Sequence, residues 1–265
     1  MNNFKFKKKY GQNFLIDKNV VNKIVKDIVL ENNSMALEIG CGDGKLTKIL
    51  CQKFNYVLGY EIDLEVKDYL LENLKNYNNF NIIFDDFLKR DITKDIKYNY
   101  ESLYIIANLP YYITTMIIEK IINSDLDFNL MRVMVQKEVG DRFCAKAGTK
   151  EYNALTVYLN YKYDIKKEFI VKKDCFYPKP NVDSMIVSFY RKKDKDKYRV
   201  LDEELFKRLV KDSFRFKRKT LRNNLKAYDL EVISKVLEKY NLDLNVRAEQ
   251  LDIKIFCEIS NSLSI

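Results

Sequence analysis

The chain has 265 residues, a net charge of +9 and no histidine or tryptophan. That length suits one large domain and a small one, and the basic surplus favours a polyanionic partner such as nucleic acid. Lack of an imidazole excludes Ser-His catalysis and most zinc sites, and five cysteines with no C-x-x-C pair form neither a disulfide framework nor a zinc signature.

The first ten residues carry Lys5, Lys7, Lys8 and Lys9 and no apolar signal core. They read as a basic arm for RNA phosphates or as a solvated tail. Val20, Val21, Ile24, Val25, Ile28 and Val29 predict one helical face over 18–29. Met35 to Ile39 reads as a buried strand, Leu46 to Phe54 as a helix, and Tyr56 to Glu61 as a second strand. Asp63 can cap the next helix, which carries Val66, Leu70, Leu71 and Leu74. Strands are predicted at Asn81 to Phe84, Leu103 to Ala107 and Met131 to Val135, with a helix at Thr114 to Ile122. More strands are expected between Phe169 and Tyr190. The charged stretch from Lys192 to Glu204 marks a boundary, dividing 1–195 from 196–265. Beyond it, Leu205 to Lys226 has helical apolar spacing, nine basic residues and one acid, Asp212. The expected class is α/β, a mostly parallel sheet covered by helices, with a small C-terminal all-α domain. No apolar run is long enough to span a membrane, and a reducing, cytoplasmic compartment is expected.

Glycine and proline are scarce, at seven and three, so their positions are informative. Gly40, Gly42 and Gly44 follow a strand and open a helix. A dinucleotide fingerprint would need glycine where Lys45 stands, and a Walker loop would need Ser or Thr where Leu46 stands. The remaining match, E-x-G-x-G-x-G from Glu38, resembles the first motif of class I methyltransferases, whose loop holds S-adenosylmethionine. Glu61 ends the next strand about 20 residues after Gly40, a spacing suited to ribose hydroxyls. Asp86 follows the third strand and can accept from the cofactor's adenine amino group; Asp85 is a rival for that role.

Asn108-Leu109-Pro110-Tyr111 ends the fourth strand. An exocyclic adenine nitrogen is a poor nucleophile, because its lone pair is delocalised into the ring. Acceptors such as the Asn108 side-chain oxygen and the Leu109 carbonyl can localise that pair. Pro110 fixes the turn, and Tyr111 can stack on the base. Such a site needs neither histidine nor metal.

Asn-Leu-Pro-Tyr at this place resembles the N6-adenine methyltransferase motif. The chain from Tyr10 to about Ser262 resembles the small-subunit ribosomal RNA adenine dimethyltransferases. The matching motifs are Gly11 to Leu15, Gln136 to Val139, Gly148 to Lys150, Phe176 to Ser184 (F-x-P-x-P-x-V-x-S), Arg218 to Leu225 and Arg247 to Leu251. The resemblance implies a Rossmann-like methyltransferase fold. It implies that Asn13, Leu15, Gly40, Glu61, Asp86 and Asn108 contact S-adenosylmethionine. It implies that Phe176 stacks on the flipped adenine opposite Tyr111. It also implies that the basic cluster from Lys207 to Arg222, with Lys217, Arg218, Lys219 and Arg222, holds phosphates of small-subunit ribosomal RNA or its precursor particle. A monomer without metal is expected. Cys41 stands where the family often has proline. Two rivals share the scaffold. One is the large-subunit enzyme of macrolide resistance, opposed by Leu109 and by the C-terminal motifs. The other is a non-catalytic assembly or transcription factor, opposed by Asn108, Tyr111 and Phe176.

Overall fold

The computed structural model describes residues 13–124, 126–192 and 198–264. Lys5, Lys7, Lys8 and Lys9 lie outside these. Among the described residues nine strands are formed: β1 Phe14–Leu15, β2 Ser34–Ile39, β3 Tyr56–Glu61, β4 Phe80–Phe84, β5 Ser102–Asn108, β6 Leu130–Gln136, β7 Tyr163–Val171, β8 Phe176–Tyr177 and β9 Ser184–Arg191. The helices are α1 Lys18–Val25, α2 Lys45–Lys53, α3 Lys67–Leu74, α4 Ile92–Asp95, α5 Thr114–Ile122, α6 Lys137–Phe143, α7 Ala154–Lys162, α8 Glu203–Ser213, α9 Leu221–Asn224, α10 Leu230–Glu238 and α11 Ile253–Leu263.

The main sheet runs β4-β3-β2-β5-β6-β9-β7. Strands β4, β3, β2, β5 and β6 are parallel neighbours, and β9 joins β6 antiparallel. Every residue of β2 is buried, as a strand covered on both faces requires. The strand order reverses between β2 and β5, and ligands bind beyond the carboxyl ends of strands at such a point. A two-stranded sheet pairs β1 with β8, setting Leu15 opposite Phe176.

The chain divides into two compact units. The sheet unit takes the described residues up to Gly140 together with Lys166–Tyr190. The helical unit takes Asp141–Ile165 and the described part of 191–265. Its core is built from Phe206, Leu209 and Val210 of α8, Ile233, Val236 and Leu237 of α10, and Ile255, Phe256 and Ile259 of α11.

Two helices differ from expectation. Helix α1 stops at Val25 rather than running to 29. Buried Arg132 of β6 donates to the Ile24 carbonyl at 2.8 Å and to Asp27 at 2.6 Å, and Lys53 donates to the Val25 carbonyl at 2.6 Å. Cations thus take the carbonyls that would carry the helix onward. The single helical spacing from 205 to 226 is interrupted between Ser213 and Leu221. There the Asn224 side chain donates to the Ser213 carbonyl at 2.7 Å, closing a loop instead of a helical turn.

Candidate active site

The three glycines of the loop after β2 all take positive φ, with Gly40 at 79° and Gly42 at 55°. Only glycine adopts this backbone without strain. A Cβ on Gly42 would stand 3.0 Å from the Phe14 ring, and one on Gly40 would stand 3.7 Å from the Asn108 carbonyl. The loop therefore lies close against both the N-terminal segment and the end of β5. Its amides are held by β3: Gly40 donates to the Tyr60 carbonyl at 2.8 Å, and Gly42 donates to Glu61 Oε2 at 2.7 Å. The second oxygen of Glu61 accepts from Asp63 N at 2.8 Å. Burial raises the Glu61 carboxyl above its ordinary range, and these two amides act against that.

A cleft of about 1070 Å³, counting its open mouth, lies over this loop. Asn13, Leu15, Gly40, Glu61, Asp86, Asn108, Leu109, Pro110 and Tyr111 all line it, and so does Asp85. Asp86 spends one oxygen on Leu88 N at 3.0 Å, while Asp85 Oδ1 accepts from Asp86 N at 2.7 Å. Among the described residues the lining holds four carboxylates (Asp43, Glu61, Asp85 and Asp86) and the buried carboxyl of Glu38 against one base, Lys45. Lys45 is itself paired with Asp43 at 2.6 Å. That balance repels phosphates and suits a cationic ligand with sugar hydroxyls.

Glu38, from the first motif, is 1% exposed, and its Oε2 has no hydrogen-bond partner. Burial pushes its carboxyl up to about 8, with Thr47 and Cys41 close enough to offset only part of the rise. Burial likewise pushes the Cys41 thiol well up, so this cysteine is a packing group rather than a nucleophile.

At the end of β5, Asn108 Nδ2 donates to the Asn13 carbonyl at 3.2 Å. That contact commits the nitrogen of the amide and leaves Oδ1 as its acceptor end. Leu109 N donates to the Met134 carbonyl at 3.1 Å, and Thr114 Oγ1 donates to the Pro110 carbonyl at 2.9 Å. The turn is therefore held from β6 and from α5. Tyr111 shares a 2.6 Å hydrogen bond with buried Ser184 at the start of β9, and burial raises its phenol. Ser184 is the last residue of the F-x-P-x-P-x-V-x-S match, so this contact ties two separate motifs together.

Phe176 stands apart from these residues. It is 2% exposed, packs with Leu15, Val21, Ile24 and Ile186, and does not line the cleft. The two residues of β8 point to opposite sides, Phe176 inward and Tyr177 outward at 56% exposure. Stacking by Phe176 requires its ring to leave that core.

In the helical unit, Lys217, Arg218 and Lys219 are exposed on the loop between α8 and α9, and Arg222 is exposed on α9. Lys217, Arg218 and Lys219 thus sit on a connection rather than on a helix face, and only Arg222 is helical. Among the described residues, no cluster of three or more potential ligands could hold a metal ion, and no helix is long and apolar enough to cross a membrane.

A family model described as ribosomal RNA adenine dimethylase matches residues 3–264. A ribosomal RNA small subunit methyltransferase A of Mycoplasma mobile is 45% identical over 252 residues, covering 95% of each chain. A crystal structure of a dimethyladenosine transferase from Plasmodium falciparum superposes with a TM-score of 0.76 at 25% identity, covering 92% of this chain and 95% of that one. The crystal structure of the 23S rRNA methyltransferase ErmE shares the fold, with a TM-score of 0.73 at 21% identity over 96% of this chain and all of that one.

Proposed function

This chain belongs to the ribosomal RNA adenine dimethylase family, and we propose that it transfers methyl groups to the N6 amino groups of two adjacent adenines near the 3′ end of small-subunit ribosomal RNA. S-adenosylmethionine, when bound, supplies an electrophilic methyl group on a sulfonium. The cleft suits that molecule. In this reading the carboxylates that line the cleft take the roles the resemblance gives them: Glu61 accepts from ribose hydroxyls, and Asp86, with Asp85 beside it, accepts from an adenine amino group. A carboxylate-rich lining favours a cation over the pyrophosphate of a nicotinamide dinucleotide.

One observation carries the reading: the amide of Asn108 is fixed by the Asn13 carbonyl so that its oxygen is the end left to accept. An adenine amino group donating to that oxygen and to the Leu109 carbonyl has its lone pair turned out of the ring. The nitrogen so held would be the nucleophile for the methyl group that a bound S-adenosylmethionine would supply. The methylated nitrogen then loses its proton, which has become acidic, so the site needs no strong base. Tyr111, anchored through Ser184, offers its ring to the base. Positioning supplies most of the rate. The small-subunit target rests on the name of the Mycoplasma relative. The large-subunit enzyme shares only the fold at its level of identity. The protein acts as a monomer, in the cytoplasm, on the RNA or on the precursor particle, with no metal.

Asn108→Ala is expected to lower transfer at least about 100-fold, the range set by losing a positioned polar group at a reacting centre. RNA affinity, measured by filter binding, is expected to stay unchanged. Near-normal turnover by this variant would overturn the acceptor mechanism.

A further inference from the structure

Phe216 is 55% exposed in the loop between α8 and α9. A single exposed aromatic is common on a protein surface; what sets Phe216 apart is the charge around it. Its neighbours in sequence, Arg215, Lys217, Arg218 and Lys219, are all exposed. Among the described residues none of these four, nor Arg222, pairs with a carboxylate. Elsewhere in the helical unit some cations do pair with carboxylates: Lys162 with Glu203 at 2.8 Å and Lys207 with Glu204 at 2.9 Å. From Ser213 to Lys226 the chain has six basic residues and no acid.

The loop is held in shape. Phe216 N donates to Asn224 Oδ1 at 3.2 Å, and Asn224 Nδ2 donates to the Ser213 carbonyl at 2.7 Å and the Phe216 carbonyl at 3.3 Å. Lys219 N donates to that same Phe216 carbonyl at 2.8 Å. The backbone of Phe216 is thus fixed on both its donor and its acceptor. The Arg215 guanidinium lies 5.5 Å from the centre of the Phe216 ring, so a planar cation accompanies the ring. An exposed aromatic ring on a fixed backbone, among cations that pair with no carboxylate among the described residues, fits a partner that presents negative charge and bare planar faces together. An unpaired stretch of RNA does so, whereas a duplex hides the faces of its bases.

We propose that Phe216 is a base-stacking contact for an unpaired ribosomal RNA nucleotide whose flanking phosphates are held by Arg215, Lys217, Arg218 and Lys219. The choice of RNA as partner rests on the function proposed above. The cations supply attraction common to any nucleic acid, and Phe216 supplies the preference for a single strand.

The chain has no tryptophan, so Phe216→Trp in the full-length protein gives a sole tryptophan at the contact, excited selectively beyond the tyrosine absorption. Two probes serve: a single-stranded 12-residue oligoadenylate, and an RNA duplex with a matched number of phosphates. The fluorescence of the Phe216→Trp protein is expected to be quenched saturably by the single strand and not by the duplex. Phe216→Ala is expected to weaken single-strand binding roughly 5- to 100-fold. Its duplex affinity, salt slope and thermal midpoint should match the parent. Neutralising Lys217, Arg218 and Arg222 together should flatten the salt slope for both probes. Absence of quenching by the single strand, or an unchanged single-strand affinity in Phe216→Ala, overturns the proposal. Equal quenching by polyglutamate overturns it in favour of an acidic protein partner. Methyl transfer by the parent chain is measured separately. Lack of transfer with quenching intact defeats the functional reading alone, and transfer without quenching defeats the stacking contact alone.

Discussion

Glu38 shows how one buried group couples the end of β2 and the glycine loop to stability. Its carboxyl, ordinarily titrating at 4.5, is pushed up to about 8 by burial. Between those values the unfolded chain has released this proton and the folded chain keeps it. Stability from this group is therefore greatest at low pH and falls as the pH rises through that window. Glu38→Gln keeps the shape and removes the titration. Urea unfolding at about pH 5 and about pH 8.5 should show the parent losing on the order of a few kcal/mol more than the variant across the interval. Glu61, also raised by burial, leaves the variant a residual slope of the same sign. Equal slopes in the two proteins would show that Glu38 ionises freely. At this scale the sequence is informative wherever a residue ends a strand: Glu61, Asp86 and Asn108 are legible because parallel strands deliver their last residues to one edge. The Asn13 contact to Asn108 and the Ser184 contact to Tyr111 join residues 95 and 73 positions apart, and no local pattern encodes such pairs. The motif around Phe176 is recognisable too, but a motif does not state which face of a two-residue strand each side chain takes.

Strand β3 lies between β2 and β4, and Gly59 in its middle lets the glycine loop settle onto the sheet. A Cβ there would overlap Cys41 Sγ and stand 2.5 Å from Ile82 Cδ1. Gly59→Ala should therefore destabilise the protein by roughly 1–3 kcal/mol through overpacking. Cys41→Ala in the same chain should recover part of that loss, a coupling that chemical denaturation of the four proteins of a double-mutant cycle measures. Strict additivity would mean that Cys41 and Gly59 do not share this space. The parallel strands are readable in advance because each is a short apolar run ended by a turn residue. Helix ends are less so. Helix α1 is cut short by Arg132, which lies 108 residues beyond the carbonyl it takes. The α8–α9 break comes from Asn224 reaching back to Ser213, in a stretch whose apolar spacing alone continues the helix.

Over the whole molecule, the positive surplus and the cleft divide the work. The sheet unit supplies a carboxylate-lined cleft at the β2/β5 reversal, and the helical unit supplies a fixed loop of exposed cations that pair with no carboxylate among the described residues. The alternating strand and helix signals make the first unit legible. The second is legible only from its basic composition and its C-terminal motifs. Its inclusion of Asp141–Ile165 is not, because Tyr152, just before α7, and Val157 of α7 pack into a core whose other buried members run from Phe206 to Ile259. The claim joining the two units is methyl transfer to adenine in one ribosomal RNA. Its most direct test supplies labelled S-adenosylmethionine with under-methylated small ribosomal subunits and, in parallel, with large-subunit RNA. The account predicts label recovered as N6,N6-dimethyladenine from the small subunit alone. Label in the large-subunit RNA, or none in either while the cofactor still binds, would contradict it.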